Sequence, residues 1–185
     1  MQEFIPNTNA QALEKCLLRL AAGDTAALEE LYHRTSAAVY GFALSILRNA
    51  QDAEDALHDC YVSVSAAAGE YRPHGKPMAY LMTLTRNLCL MKLRQRKKTA
   101  DYPGEDWEQA LPAKPGFSPE DRLLLAQCMS ELTAEERQII TLHAVAGFKH
   151  REIAAFLSLP LPTVLSKYNR GLKKLKNTLL KGEST

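Results

Sequence analysis

Residues 99–118, TADYPGEDWEQALPAKPGFS, interrupt an otherwise continuous helical pattern and constrain the fold more than any other stretch. Three prolines and two glycines break helix geometry there, and acids gather at Asp101, Glu105, Asp106 and Glu108. A structureless loop of this length is uncommon inside one compact domain. The break therefore divides the chain into residues 1–98 and 119–185, joined by an extended linker.

Both sides read as helical, because apolar residues recur every three to four positions and strand alternation is almost absent. Only 7% of residues are aromatic and Ala and Leu dominate, a mix that loses little rotamer freedom in helices. Leu13, Leu17, Leu18 and Leu20 mark a first helix. Asp24 can cap a second, with Leu28, Leu31, Tyr32, Thr35, Val39, Phe42 and Ile46 on its apolar face. Asn49 can cap a third, with Ala53, Ala56, Leu57, Cys60, Tyr61, Val64 and Ala68 inward. After the GEYRPHGKP loop, a fourth runs from about Pro77 to Lys98, with Met78, Leu81, Leu84, Leu88 and Met91 inward. Beyond the linker, Ser118-Pro119-Glu120-Asp121 and the capping box Thr133–Glu136 restart helices. The second of these carries Ile139, Ile140, Leu142, His143 and Val145 on its apolar face and ends at Gly147. The expectation is an all-α fold of two small helical domains.

The formal net charge is only +2, but the charge is segregated. Arg86–Lys98 holds six basic residues and no acid, and so does Lys167–Lys181; Asp24–Asp59 holds seven acids against Arg34 and Arg48. Two polyanion-facing patches and a separate acidic face are expected. Cys16, Cys60, Cys89 and Cys128 are scattered among apolar residues without a CxxC pair, which reads as buried free thiols rather than a disulfide framework or zinc site. The N-terminus lacks the pattern of a signal peptide, and no apolar run is long enough to span a bilayer.

Residues 147–175, GFKHREIAAFLSLPLPTVLSKYNRGLKKL, carry the strongest functional pattern. Ile153, Ala154 and Leu157 form a short helix that breaks before Pro160. A last helix, begun by Pro162, turns Val164, Tyr168, Leu172, Leu175 and Leu179 inward. Thr163, Ser166, Lys167, Asn169, Arg170, Lys173 and Lys174 are left outside. This is a helix-turn-helix whose second helix would enter the DNA major groove. Arg, Lys and Asn suit base edges there, and Lys and Ser suit phosphates. Lys176 and Lys181 read as a solvated face.

The segment resembles the C-terminal promoter-reading domain of bacterial sigma-70 family sigma factors. Gly147, Glu152, Ile153, Ala154, Leu157, Leu159, Pro160, Thr163, Val164 and Ser166 match the family pattern. Lys149, Pro162, Leu165 and Lys167 depart from it; Leu165 stands where the family has a lysine and removes a DNA contact. In the N-terminal half, Asp52-Ala53-Glu54-Asp55-Ala56-Leu57-His58-Asp59-Cys60-Tyr61 is similar to the family's D-A-E-D-L-V-Q-E-T-F element. Residues 79–94, around Arg86-Asn87, resemble its −10 helix, with Tyr80 for Trp and Met91 for Asp. The short length and absent middle domain match the extracytoplasmic-function (ECF) subgroup.

The resemblance implies a region 2-like bundle and a region 4-like helix-turn-helix domain that bind core RNA polymerase and recognise promoter DNA. Asp52, Glu54, Asp55, His58 and Asp59 would dock on the basic-faced clamp coiled coil. Tyr71, His74, Tyr80, Arg86, Asn87 and Arg94 would engage the −10 element, with the rings stacking on a flipped base. Thr163, Ser166, Lys167, Asn169, Arg170, Lys173 and Lys174 would read the −35 element, with the polymerase flap as a second contact. Asp101, Glu105, Asp106, Trp107 and Glu108 would thread the polymerase interior. An anti-sigma factor, often membrane-anchored in this subgroup, is implied as inhibitor, and the cytoplasm as the location. No cofactor is expected. The alternative is a stand-alone helix-turn-helix regulator that never joins polymerase. An enzyme is disfavoured, because the five histidines form no ligand pair and no phosphate loop or nucleophile motif occurs.

Overall fold

The computed structural model describes residues 6–99 and 118–182, and all regular structure among them is helical. Four helices precede the linker: α1 (Pro6–Ala21), α2 (Ala26–Leu47), α3 (Ala50–Ala66) and α4 (Pro77–Thr99), with a 3-10 turn at Ala68–Glu70. Four follow it: α5 (Pro119–Ser130), α6 (Ala134–Ala144), α7 (His150–Leu157) and α8 (Leu161–Gly182). The linker acids and Trp107 lie outside the described residues. None of the described helices is long and apolar enough to cross a membrane.

The helix starts follow from local chemistry. The Asn49 side chain accepts from the Asp52 N–H at 3.0 Å and begins α3. Ser118 and Asp121 cap α5 reciprocally, at 3.0 and 3.1 Å. Thr133 and Glu136 do the same for α6, at 3.3 and 2.9 Å. Each exchange satisfies donors that a helix N-terminus leaves open. The Asp24 carboxylate accepts from the Ala26 N–H at 3.1 Å, and it also takes the Arg19 guanidinium at 2.9 Å, tying α1 to the start of α2. Gly147, at φ +75°, closes α6 and lets the Phe148 N–H reach the Leu142 carbonyl at 2.9 Å.

Most of the expected apolar stripes face inward, with instructive exceptions. Leu18, Tyr32, Met91, Val145, Leu172 and Leu179 are exposed rather than buried. In α4 the inward row is Leu81, Met82, Thr85 and Cys89. Met91 lies two residues beyond Cys89, a turn of about 200° away from that row. In α8 the row is Val164, Tyr168, Gly171 and Leu175, so Leu172 sits beside it rather than on it. Gly171 lets α8 approach α6 closely, since a Cβ there would meet Ile140 Cδ1 at 2.6 Å.

The two halves share their hydrophobic interior. Phe42 of α2 is fully buried and packs against Phe156 of α7, with centroids 5.8 Å apart. The open flank of Gly41 faces Thr141 of α6 and Val145 just beyond its end. A second cluster joins Ala43, Leu44 and Leu47 of α2 and Cys89 of α4 to Ala126 of α5. All four cysteines are free and buried. Burial pushes the Cys89 thiol up to about 12, so it stays protonated and unreactive.

Candidate nucleic-acid and protein-docking surfaces

The acidic residues of α3 occupy its outer face, opposite the buried Ala53–Ala56–Cys60 row. Thr35 and Tyr61 bond hydroxyl to hydroxyl at 2.7 Å and fix α3 against α2. Glu54, Asp55 and His58 are exposed, and Asp52 and Asp59 are half-buried. The acidic face is partly answered from within the protein. Lys92 Nζ of α4 lies 3.3 Å from Asp55 and 4.0 Å from Asp59, and Arg96 pairs with Asp52. Asp55 and Asp59 nevertheless keep about half their side-chain surface open, 48% and 49%. The tie to Lys92 spans more than thirty residues, and no sequence spacing announces it.

Of the residues expected to meet the −10 element, His74, Asn87 and Arg94 are exposed, and Tyr80 and Arg86 are half-buried. Tyr71 corrects the expectation of an open stacking ring. It is only 8% exposed, its hydroxyl donates to Glu14 of α1 at 3.1 Å, and its ring tilts against Tyr80 at 5.1 Å. A ring buried in this way, with its hydroxyl tied to Glu14, serves packing. Exposed Arg72 and Lys76, beside His74 in the same loop, carry the positive charge at this edge.

In the C-terminal half, α7 and α8 are joined by Ser158, Leu159 and Pro160, with Ser158 in the left-handed region at φ 55°. α8 begins at Leu161, so Pro162 lies in its first turn. Ser166, Asn169, Arg170 and Lys173 form a continuous exposed surface, with Thr163 half-buried beside it. Two lysines of the expected set are occupied. Lys167 pairs with Glu135, and Lys174 bonds Glu136 at 2.8 Å and the Glu131 carbonyl at 3.1 Å. Burial raises the Glu136 carboxyl, but Lys174 and the cap hydrogen bonds to Thr133 more than offset it and hold it below the usual range. These contacts brace α8 on α6.

His143 and His150 stack with centroids 4.4 Å apart, and Tyr168 closes on them edge-on at 5.0 and 4.6 Å. His143 Nδ1 lies 2.8 Å from the Phe148 carbonyl and must carry a proton to bond it. Burial, then the neighbouring His143, pulls the His150 pKa below its ordinary value. The neutral ring is thus favoured on folding. Its stabilisation is complete above the unfolded value, roughly pH 6.5, and is lost as pH falls through the lower folded value. The melting temperature should therefore drop on acidification below about pH 6.5, well before carboxylates such as Glu136 titrate. His150→Gln should flatten that slope; an unchanged slope in the variant would remove His150 as its cause. Among the described residues, no group of three or more His, Cys, Asp or Glu side chains could hold a metal ion.

Comparison with known proteins agrees with this geometry. Residues 11–99 match the family model of sigma-70 region 2, and residues 122–175 match that of sigma-70 region 4. The ECF RNA polymerase sigma factor SigK of Mycobacterium sp. (strain KMS) is 30% identical over 174 residues, 90% of each chain. SigK of Mycobacterium ulcerans (strain Agy99) is 26% identical over 94% of this chain and 97% of its own. Among solved structures, CnrH in complex with the cytosolic domain of CnrY superimposes with TM-score 0.62 at 22% identity, covering 91% of this chain and 97% of that one. The sigma factor RpoE in complex with the anti-sigma factor NepR from Bartonella quintana gives 0.67 at 21% identity, covering 82% and 95%.

Proposed function

The chain belongs to the ECF RNA polymerase sigma factors of the sigma-70 family, and from that membership we propose how its two helical halves divide the work of starting transcription. As a sigma factor it binds core polymerase, recognises promoter DNA and promotes its melting, and it is not an enzyme. Residues 1–98 dock on the clamp and open the −10 region. Residues 119–185 read the −35 element. The twenty residues between them could reach about 66–72 Å when extended, roughly two turns of B-DNA.

The observation that carries this reading is the exposed surface Ser166–Asn169–Arg170–Lys173, on the second helix of a helix-turn-helix within the region 4 match. Half a chain away, the outer face of α3 keeps Asp55 and Asp59 open within the region 2 match. The first suits DNA and the second a cationic partner. In the −10 half, His74, Tyr80, Arg86, Asn87 and Arg94 are the DNA contacts of this proposal, and Tyr71 supports Tyr80 from behind. A subunit that joins polymerase on promoter DNA works in the cytoplasm. Because solved relatives are bound to an anti-sigma factor or to the cytosolic domain of CnrY, an anti-sigma factor is the inhibitor we assign to this chain as well.

Transcription in vitro with core polymerase on a genomic promoter library tests the whole reading, and failure to initiate from any promoter would sink it. The division of labour makes a finer demand. Arg170→Ala should weaken −35-dependent initiation by about tenfold or more, since a good bidentate base contact is worth about 1–3 kcal/mol. Lys167→Ala should cost less, because its ammonium already answers Glu135. If only −10 dependence changed, α8 would not be the −35 reader. The stand-alone regulator leaves the region 2 match without a task, and pull-down with core polymerase separates the two.

A further inference from the structure

Leu165 sits in the second turn of α8, and 40% of it is open to solvent. Its neighbour Val164 is fully buried and anchors the turn. Leu161 and Tyr168 pack partly into the core, whereas Leu165 belongs to neither hydrophobic cluster. It borders the polar reading surface directly. Asn169, one turn on, lies about 40° around the helix axis from it, and Lys173 about 80°. The opposite flank of that surface is closed to bases, because Lys167 and Lys174 are held by Glu135 and Glu136.

A single exposed leucine usually needs no explanation. This one lies in the early turns of a helix whose N-terminal residues meet base edges when it enters the major groove. Within that groove only one base presents an apolar group, the C5 methyl of thymine; the other edges are donors and acceptors. Leu172 and Leu179 share the flank and are also exposed, but they stand about 10 and 21 Å further along the axis, beyond the turns that reach bases.

We propose that Leu165 is a specificity-determining residue of the −35 interaction and that it reads the C5 methyl of a thymine. The proposal rests on α8 being the −35 recognition helix. Asn169, suited to the paired donor and acceptor of adenine, is about 6 Å along the axis from Leu165. The thymine should therefore fall within roughly two base-pair steps, at about 3.4 Å each, of an adenine read by Asn169. A leucine at this position offers bases only an apolar contact, so the preferred −35 element is shifted toward A·T pairs.

The test uses holoenzyme reconstituted from the full chain and core polymerase. Preferred −35 elements are selected from random DNA, and each thymine is then exchanged for uracil, which lacks only the methyl. At one position the exchange should lower open-complex formation roughly fourfold, the factor expected from one buried methyl-sized group. Leu165→Ala should lose that sensitivity and Leu165→Val should retain it, with unchanged melting temperatures showing that both variants fold. Selected elements without a thymine would overturn the proposal. So would indifference of the wild-type holoenzyme to every uracil, or an equal loss in Leu165→Ala. Arg170→Ala separates the failures: if it leaves −35 dependence intact, the recognition-helix reading falls and takes this proposal with it. If it abolishes −35 dependence while uracil has no effect, only the leucine contact is lost.

Discussion

Phe42→Ala should destabilise the protein by about 3–5 kcal/mol, the range for emptying a fully enclosed aromatic site. The phenyl ring is wholly buried and meets Phe156 from the other half of the chain. The cavity would therefore open where α2 meets the helix-turn-helix, not within one bundle. Collapse around it is hindered, because Gly41 next door already lets α2 lie against Thr141 and Val145. Denaturant unfolding followed by circular dichroism checks the magnitude. Phe156→Ala should cost less, since that ring is only half-buried. Leu81→Ala, at a fully buried residue of α4, serves as the comparison and should cost about 2–5 kcal/mol. A loss below about 1 kcal/mol for Phe42→Ala, smaller than any fully enclosed site allows, would mean that the halves part in solution and leave the ring open.

That shared interior is also where reading the sequence reached its limit. The N-cap at Ser118, the capping box at Thr133 and the end at Gly147 were legible, because each is written in neighbouring residues. The apolar rows were legible in outline, but they missed at Met91, two residues from the buried Cys89, and slipped by one position at Leu172, beside the buried Gly171. A single residue turns a side chain by about 100°, and a helix rich in Leu and Met offers two adjacent candidate stripes. What could not be read was tertiary. Tyr71 reaches Glu14 across 57 positions. Lys92 reaches Asp55 across 37, and Lys174 reaches Glu136 across 38. Each changes what a candidate site residue has free to offer. Tyr71 becomes a packed ring, and Lys167 and Lys174 become braces of α8. Residue type and spacing located the surfaces, while the pairing of charges between helices decided which members of each surface stand open.

The same pairing sets the second large effect. Asp55→Lys with Asp59→Lys should lower affinity for core polymerase by about a hundredfold or more, because like charges facing one another across an interface cost several kcal/mol. In the folded protein these two carboxylates flank Lys92 at 3.3 and 4.0 Å. Reversal would set three ammonium groups together on the face proposed to meet a basic coiled coil. The fold should survive. Both acids are about half exposed, and exposed ion pairs contribute only about 0–1 kcal/mol. A shift of a few degrees in melting temperature is the most expected, and near-native far-ultraviolet dichroism should remain. Glu29→Lys, a reversal at a well-exposed acid on α2, should leave core affinity close to wild type and so separates a local clash from a change in net charge. Raising ionic strength should narrow the gap between the double variant and wild type, as screening over about 8–10 Å requires. Affinity unchanged in a folded double variant would take the clamp contact away from α3. Equal losses in Glu29→Lys would reduce the effect to overall charge.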